Sequence, residues 1–274
     1  MYPVFLLYTK RYILQEIFLI FYLQNNINVL FYYYKIKLIE RRNGMKVYEI
    51  RIRVYILENI PYQKMLSQEA HFIDSALARD KNWLEYHKER QYKNYSFGGL
   101  YPVEKDGLYK RDKIYTITMR TMDAELAKYL TRVLRNHYTR AMKGLTLETR
   151  IIPKKIISEL YTLTPVLQKT EDGYWRNQMS LGEFERHLFE NAVKKYNSYT
   201  EKKMDEDFQL YTGITFLNKK PIANQYKEIT LLGDKIHLSI ADNEQAQELA
   251  YFLTGSGIGE MNSRGYGYCN YRWL

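Results

Sequence analysis

The chain of 274 residues sets 41 Lys and Arg against 31 Asp and Glu, for a formal net charge of +10, and holds one cysteine, Cys269. The charge favours a polyanionic partner, nucleic acid ahead of an anionic membrane surface. A single cysteine excludes an internal disulfide and a cysteine-rich zinc site and points to a reducing, cytoplasmic setting. The 28 tyrosines among so many Lys and Arg suit base stacking beside phosphate contacts, although basic, tyrosine-rich chains also come from AT-rich coding sequence.

Residues 1–44 differ from the rest. Met1 to Tyr34 is Phe, Tyr, Ile, Leu and Asn, with Glu16, Gln24, Asn25 and Asn26 breaking the apolar runs. The uninterrupted stretches fall short of the ~20 residues of a membrane span. A signal peptide's basic start, clean apolar core and small-residue cleavage site are absent. The expectation is that Met45 is the native start and that 1–44 is a non-native upstream extension or a disordered tail, with an amphipathic anchor as the other option. Glu40-Arg41-Arg42-Asn43-Gly44 then reads as a translated purine-rich ribosome-binding site.

From Met45 to Arg150 the periodicities alternate. Lys46 to Leu57 places Val47, Ile50, Ile52, Val54 and Ile56 against Glu49, Arg51 and Arg53, which predicts a strand with one buried face. Pro61 opens a helix whose inward stripe is Met65, Leu66, Phe72, Ile73, Ala76 and Leu77, with Glu69 as its exception. A less regular stretch carries Trp83, Tyr86 and His87. Tyr92 to Val103 reads as a strand with a bulge at Gly98-Gly99, and Lys113 to Arg120 as its hairpin partner. Asp123 caps a second helix with Leu126, Leu130, Val133 and Leu134 inward, and Leu145 to Ile152 is a closing strand. The order is βαββαβ.

From Ile151 to Leu274 the order repeats without internal sequence similarity. Leu160 to Leu167 is strand-like. Ser180 and Glu183 make a capping box before a helix with Phe184, Leu188, Ala192 and Val193 inward. The basic residues near its end (Lys194, Lys195, Lys202, Lys203) read as a solvated face. Strands follow near Phe208–Phe216, Tyr226–Leu232 and Lys235–Ile240, then a helix from Asp242 to Thr254 with an Asp242/Gln245 cap, and an aromatic strand from Tyr266 to Trp273. His137, His187 and His237 read as structural. Neither a His-x-x-x-His spacing nor a nucleophile elbow occurs, so no metal and no cofactor are expected.

Between that last helix and strand lies Gly255-Ser-Gly-Ile-Gly-Glu-Met-Asn-Ser-Arg-Gly-Tyr-Gly267. Such glycine density permits positive φ and close backbone approach, and consecutive amides can form an anion-binding nest. A dinucleotide fingerprint needs a strand before the glycines and a helix after them. Here the order is reversed. A glycine-rich turn without ligand is the plain alternative.

The wording Gly257-Ile-Gly-Glu-Met-Asn-Ser-Arg-Gly-Tyr-Gly267 resembles the C-terminal glycine-rich loop of the CRISPR-associated endoribonucleases that cut precursor crRNA (Cas family six, RAMP superfamily). Leu160-Tyr-Thr-Leu-Thr-Pro-Val-Leu167 resembles the strand that opens that family's second domain. The resemblance runs from about Met45 to the C-terminus. It implies an α+β fold of two tandem ferredoxin-like βαββαβ domains, 45–150 carrying the catalytic segment and 151–274 carrying the glycine loop. The partner implied is CRISPR repeat RNA within precursor crRNA, in some members inside a multi-subunit effector complex, and no membrane.

Leu84-Glu-Tyr-His87-Lys-Glu-Arg-Gln-Tyr-Lys93 resembles the family's catalytic segment, in which a lysine follows a histidine by six residues. On that resemblance His87 shuttles protons and Lys93 stands by the scissile phosphate. The reaction implied is metal-independent cleavage by the ribose 2′-OH, giving a 2′,3′-cyclic phosphate and a 5′-OH. Taken alone, a histidine near a helix end is ordinarily a surface or capping residue. Some members add a tyrosine where this chain has Phe72 and Ile73. Beside them His71 is a candidate second proton-transfer group or a helix-surface histidine, and Tyr86 is a weaker substitute. The RNA-contact candidates are Gly257, Gly259, Arg264, Gly265, Gly267, Arg150, Lys154 and Lys155. The alternative function is a non-catalytic RAMP-type crRNA-binding subunit. An unrelated RNA-binding protein with aromatic RNP motifs is a third reading, and no such motif is clear here.

Overall fold

Ten residues of alternating side chains form the first strand, β1 (Val47–Ile56), and send Ile50, Ile52, Val54 and Ile56 into full burial on one face. Burying each contributes roughly 1.5–3 kcal/mol before chain entropy is counted. The computed structural model describes residues 44–170 and 173–274. The expectation of an upstream extension covers 1–44, which apart from Gly44 lies outside those residues. A short β2 (Ile60–Pro61) leads into α1 (Tyr62–Leu77), and Pro61 at its N-cap fixes the entry. Next come α2 (Lys81–Lys88), β3 (Tyr95–Phe97), β4 (Leu108–Tyr109), β5 (Ile114–Thr121), α3 (Ala124–Val133) and β6 (Met142–Ile152). The main sheet runs β3-β5-β1-β6, all antiparallel, and β4 pairs with β2.

The second half repeats the plan. It holds β7 (Ile157–Thr162), α4 (Leu181–Thr200), β8 (Tyr211–Phe216), β9 (Ile222–Tyr226), β10 (Ile229–Gly233), β11 (Ile236–Ile240), α5 (Glu244–Ser256) and β12 (Cys269–Trp273). Its sheet runs β12-β7-β11-β8, and the hairpin β9–β10 is inserted between β8 and β11. Both sheets place the fourth strand of the unit beside the first, then the third, then the second. That order defines two tandem ferredoxin-like units.

Local expectations hold with shifts at the ends. Asp123 caps α3, accepting from Glu125 N and Leu126 N, and Ser180 with Glu183 forms the capping box of α4. Asn243, not Asp242, caps α5, its side chain accepting from Ala246 N. The strand expected at Tyr226–Leu232 is a hairpin instead, because Lys227 turns at φ 54°. The strand expected from Tyr92 shrinks to Tyr95–Phe97, since residues before it fold back onto Tyr86.

The two units dock through α5 and one arginine. Arg120 on β5 is buried; its Nε and Nη2 meet the Glu49 carboxylate at 2.9 and 2.8 Å. The same guanidinium donates to the carbonyl of Cys269 (2.7 Å) and to Asn270 Oδ1 (2.7 Å) on β12. Both charges are out of water; Arg120 also has backbone acceptors, and Glu49 also accepts from Arg51 and Arg150, the condition under which a buried pair is tolerated. Ser96 donates to the Gly255 carbonyl, and the Tyr251 hydroxyl bridges Val47 N and Ile152 O. No helix among the described residues is long and apolar enough to cross a membrane.

Candidate active site

His87 stands on the last turn of α2. Asp80 caps this short helix, accepting from the amides of Asn82 and Trp83, but no residue of it is buried. That lack of an inward stripe is why the segment looks irregular in sequence. The helix ends at Glu89, and the chain turns back at once. Lys93 Nζ donates to the carbonyl of Glu89 at 3.0 Å and to that of Tyr86, and lies 4.4 Å from the centre of the Tyr86 ring. The Tyr86 hydroxyl accepts from Asn94 N at 3.0 Å. His87 and Lys93 are thereby the two ends of one folded loop, each partly shielded from water.

Facing His87 is Asp74 on the last turns of α1. Its Oδ1 lies 3.3 Å from His87 Nδ1, near enough for charge attraction though not aligned as a hydrogen bond. The other oxygen, Oδ2, is held by Arg264 Nη1. Arg264 belongs to the glycine-rich loop, so the second unit completes a cluster built on the first. Burial lowers the pKa of His87, and the cations Arg264, Lys93 and Lys88 lower it further, against the pull of Asp74. The imidazole is therefore biased to its neutral form near pH 7. Burial also lowers Lys93, with Arg264 adding to it and Glu89 opposing. Tyr95, fully buried behind the cluster, is pushed far up by desolvation.

The loop that delivers Arg264 is itself packed. Lys195 Nζ, buried at 3% exposure, donates to the carbonyls of Gly257 (2.6 Å) and Gly259 (3.1 Å) and to Asn262 Oδ1 (3.0 Å). Asn262 Nδ2 closes the loop on the Ile258 and Tyr266 carbonyls. Residues Asn262–Arg264 make a 3₁₀ turn between Met261 and Gly265, both left-handed. At Gly265 a Cβ would lie 2.7 Å from Phe97 Cε2 and 2.9 Å from Leu66 Cδ2; at Gly267 it would lie 1.8 Å from the Ile258 carbonyl oxygen. Only glycine fits there.

Among the sequence candidates, the structure brings His87, Lys93 and Arg264 together. His71 is exposed on α1, and its charge acts on His137, whose Nε2 lies 2.8 Å from Ser75 Oγ. Gly257, Gly259, Gly265 and Gly267 are buried. Arg150, Lys154 and Lys155 lie apart from His87. Arg150 (54% exposed) pairs with Glu49, Lys154 pairs with Glu248, and Lys155 sits 4.7 Å over the Trp273 ring. With Tyr271, 5.2 Å from Trp273, these make an exposed basic and aromatic patch. Sequence reasoning missed Asp74 and Lys195. Asp74 sits beside the apolar stripe of α1 with no spacing to distinguish it, and Lys195 was grouped with its solvated neighbours. Among the described residues no three His, Cys, Asp or Glu side chains converge to hold a metal ion.

Residues 147–271 match the family model described as CRISPR associated protein Cas6, C-terminal. Among solved structures, a CRISPR associated protein Cas6 is 19% identical, covering 82% of this chain and 99% of its own, with a TM-score of 0.60. A RAMP protein described as binding different RNA substrates is 14% identical with the same coverage and a TM-score of 0.64. The product of a Cas6-related gene from Pyrococcus furiosus is 16% identical over 82% of this chain and 98% of its own, with a TM-score of 0.57. No curated protein matches. At such identities these likenesses establish the fold, and the family match is confined to residues 147–271. Over residues 147–271 the chain is similar to the C-terminal part of the Cas6 family, and its fold is similar to those of solved Cas6 and RAMP proteins.

Proposed function

We propose that this protein is a metal-independent endoribonuclease that cuts precursor crRNA within CRISPR repeats. The observation that carries the reading is the half-buried, neutral-biased imidazole of His87, with Nδ1 turned toward Asp74. That orientation leaves Nε2 to accept a proton. In the reaction His87 Nε2 takes the proton of the ribose 2′-OH, the 2′-oxygen bonds to phosphorus, and the bond from phosphorus to the 5′-oxygen breaks. The Lys93 ammonium stands by the phosphate as its charge grows and supplies the proton taken up by the leaving 5′-oxygen, with His71 the other candidate for that transfer. The products are a 2′,3′-cyclic phosphate and a 5′-OH. The patch of Arg150, Lys155, Tyr271 and Trp273 supports RNA contact by phosphate attraction and base stacking.

A second reading, a non-catalytic RAMP-type crRNA-binding subunit, is favoured by one detail. Lys93 already donates to the carbonyls of Tyr86 and Glu89, so it must release at least one to serve a phosphate. The deciding experiment is cleavage of a labelled repeat RNA in EDTA by wild type, His87→Ala, Lys93→Ala and His71→Ala. Loss of a positioned acid–base group lowers the rate about 10²–10⁴-fold. One cut by wild type, blocked by a 2′-deoxy at the site and lost in His87→Ala, is the expected result. Tight binding without cutting moves the assignment to the structural subunit.

A further inference from the structure

We infer that Asp74 is a positioning residue for His87, and that Arg264 of the glycine-rich loop sets how strongly it acts. The inference rests on the reading of His87 as the proton acceptor.

Three groups on three separate elements meet here. Asp74 comes from α1, His87 from α2, and Arg264 from the loop between α5 and β12. Asp74 offers one oxygen to each neighbour: Oδ1 stands 3.3 Å from His87 Nδ1, and Oδ2 is paired with Arg264 Nη1. All three side chains are 21–23% exposed, so their charges interact across partly dry space and not through bulk water. A carboxylate at Nδ1 favours the tautomer with hydrogen on Nδ1 and the lone pair on Nε2. That is the form able to take a proton from a ribose hydroxyl.

Arg264 prevents the arrangement from overshooting. A carboxylate with no second partner would favour the imidazolium, which cannot accept a proton. With the guanidinium on its far oxygen, Asp74 orients the ring without fully charging it. The remaining cations facing His87 are Lys93, from the segment before β3, and Lys88, on its own helix, and both also favour the neutral ring. Arg264 can hold this place only while the glycine loop keeps its fold. Lys195 and Asn262 pin the loop's carbonyls, and Gly265 lets its backbone press against Phe97 and Leu66. The glycine-rich segment thereby acts on the chemistry from the protein side, through Asp74.

The two partners push His87 in opposite directions, and this separates positioning from simple structural support. Removing the Asp74 charge takes away what favours the imidazolium, so the acid limb of the pH–rate profile moves to lower pH. Removing Arg264 takes away what disfavours it and unmasks Asp74, so the limb moves to higher pH.

The test uses the full chain with Asp74→Asn and Arg264→Gln, both near-isosteric, and thermal melting to confirm folding. Cleavage of repeat RNA is followed across pH, and affinity is measured with a 2′-deoxy repeat that cannot be cut. Nitrogen-15 NMR of the imidazoles, with His87→Gln to assign the signals, reports tautomer and titration directly. Asp74→Asn should lower kcat about 10- to 100-fold, as loss of a partner that orients a catalytic or liganding imidazole does. For Asp74→Asn affinity for the deoxy repeat should hold, the acid limbs of the two variants should separate in the stated directions, and wild-type His87 should carry its hydrogen on Nδ1. Unchanged limbs and tautomer in both variants, or limbs moving the same way, overturn the inference. If wild type binds RNA without cutting, the proposed function fails, but the NMR titration still decides whether Asp74 and Arg264 pull His87 apart.

Discussion

The ammonium of Lys195, on α4, lies 2.6 Å from the carbonyl oxygen of Gly257, at the C-terminal end of α5. A buried lysine thus holds the start of the loop that ends in Arg264. Its three acceptors replace water, yet desolvation still pulls its pKa down to about 7. A free lysine titrates near 10.4, so between about 7 and 10 the unfolded chain holds more protons than the folded one. Stability should therefore rise with pH across that window, by at most about 1.4 kcal/mol per pH unit from this group. Below about 7 both states are charged and the slope vanishes. Lys195→Met should abolish the rise, as read from urea melts at pH 7, 8 and 9. An identical slope in the variant would show that the ammonium is not buried as described.

Glu69 gives the opposite slope. It lies fully buried on α1 among Met65, Leu66, Phe72 and Ile73, and neither carboxylate oxygen has a partner. Desolvation raises its pKa well above the usual value. The folded state keeps the proton that the unfolded state releases above about pH 4.3, so this group makes stability fall as pH rises from there toward the folded pKa. Glu69→Leu removes the buried acid and fills an apolar site. The variant should be more stable than wild type, with the gap widening from about pH 5 toward the raised pKa of the folded state by up to about 1.4 kcal/mol per unit. A constant gap would mean the carboxyl is ionised in the fold.

These two residues also show where sequence stops being legible. The βαββαβ order came from alternation along β1 and from the 3.6-residue stripes of α1, α3 and α4, because burial of one face dictates both. Glu69 broke its stripe visibly, but its fate as a buried acid depends on packing from other elements. Lys195 stood next to Lys194, and a run of lysines carries no mark of which one turns inward. His87 and Lys93 were singled out by the family resemblance, and the structure folds the two onto one loop. Asp74 was not, because its partners lie 13 residues away on another helix and 190 residues away in the glycine loop. Contacts of such range are set by how the two units dock, and local periodicity does not encode that.

The glycine loop separates a packing role from a binding role. At Gly265, with φ 86°, a methyl group would strike Phe97 and Leu66. A strained backbone of this kind costs of order 1–3 kcal/mol, and the clash adds to it. Gly265→Ala should lower thermal stability and, by displacing Arg264, reduce cleavage more than it reduces affinity for a 2′-deoxy repeat. A variant with wild-type melting that has lost only RNA affinity would instead make this backbone a direct RNA contact.

The exposed patch offers a different kind of test, since charge and stacking respond differently to salt. Arg150 is 54% exposed, and its partner Glu49 keeps Arg120, so its loss leaves the buried pair intact. Lys155 lies over Trp273 without an ion pair in the described structure. If these cations meet phosphates of single-stranded RNA, each should contribute about 0.7 to the slope of log affinity against log salt. Arg150→Ala and Lys155→Ala should each flatten the slope by about that amount. Trp273→Ala should weaken binding by about 1–3 kcal/mol if one base stacks there, and should leave the slope unchanged because no counterion is released by a ring. Binding titrations of repeat RNA between low and high salt measure both quantities at once. Wild-type affinity that does not change with salt would rule out phosphate contact at this surface, whatever Trp273→Ala does.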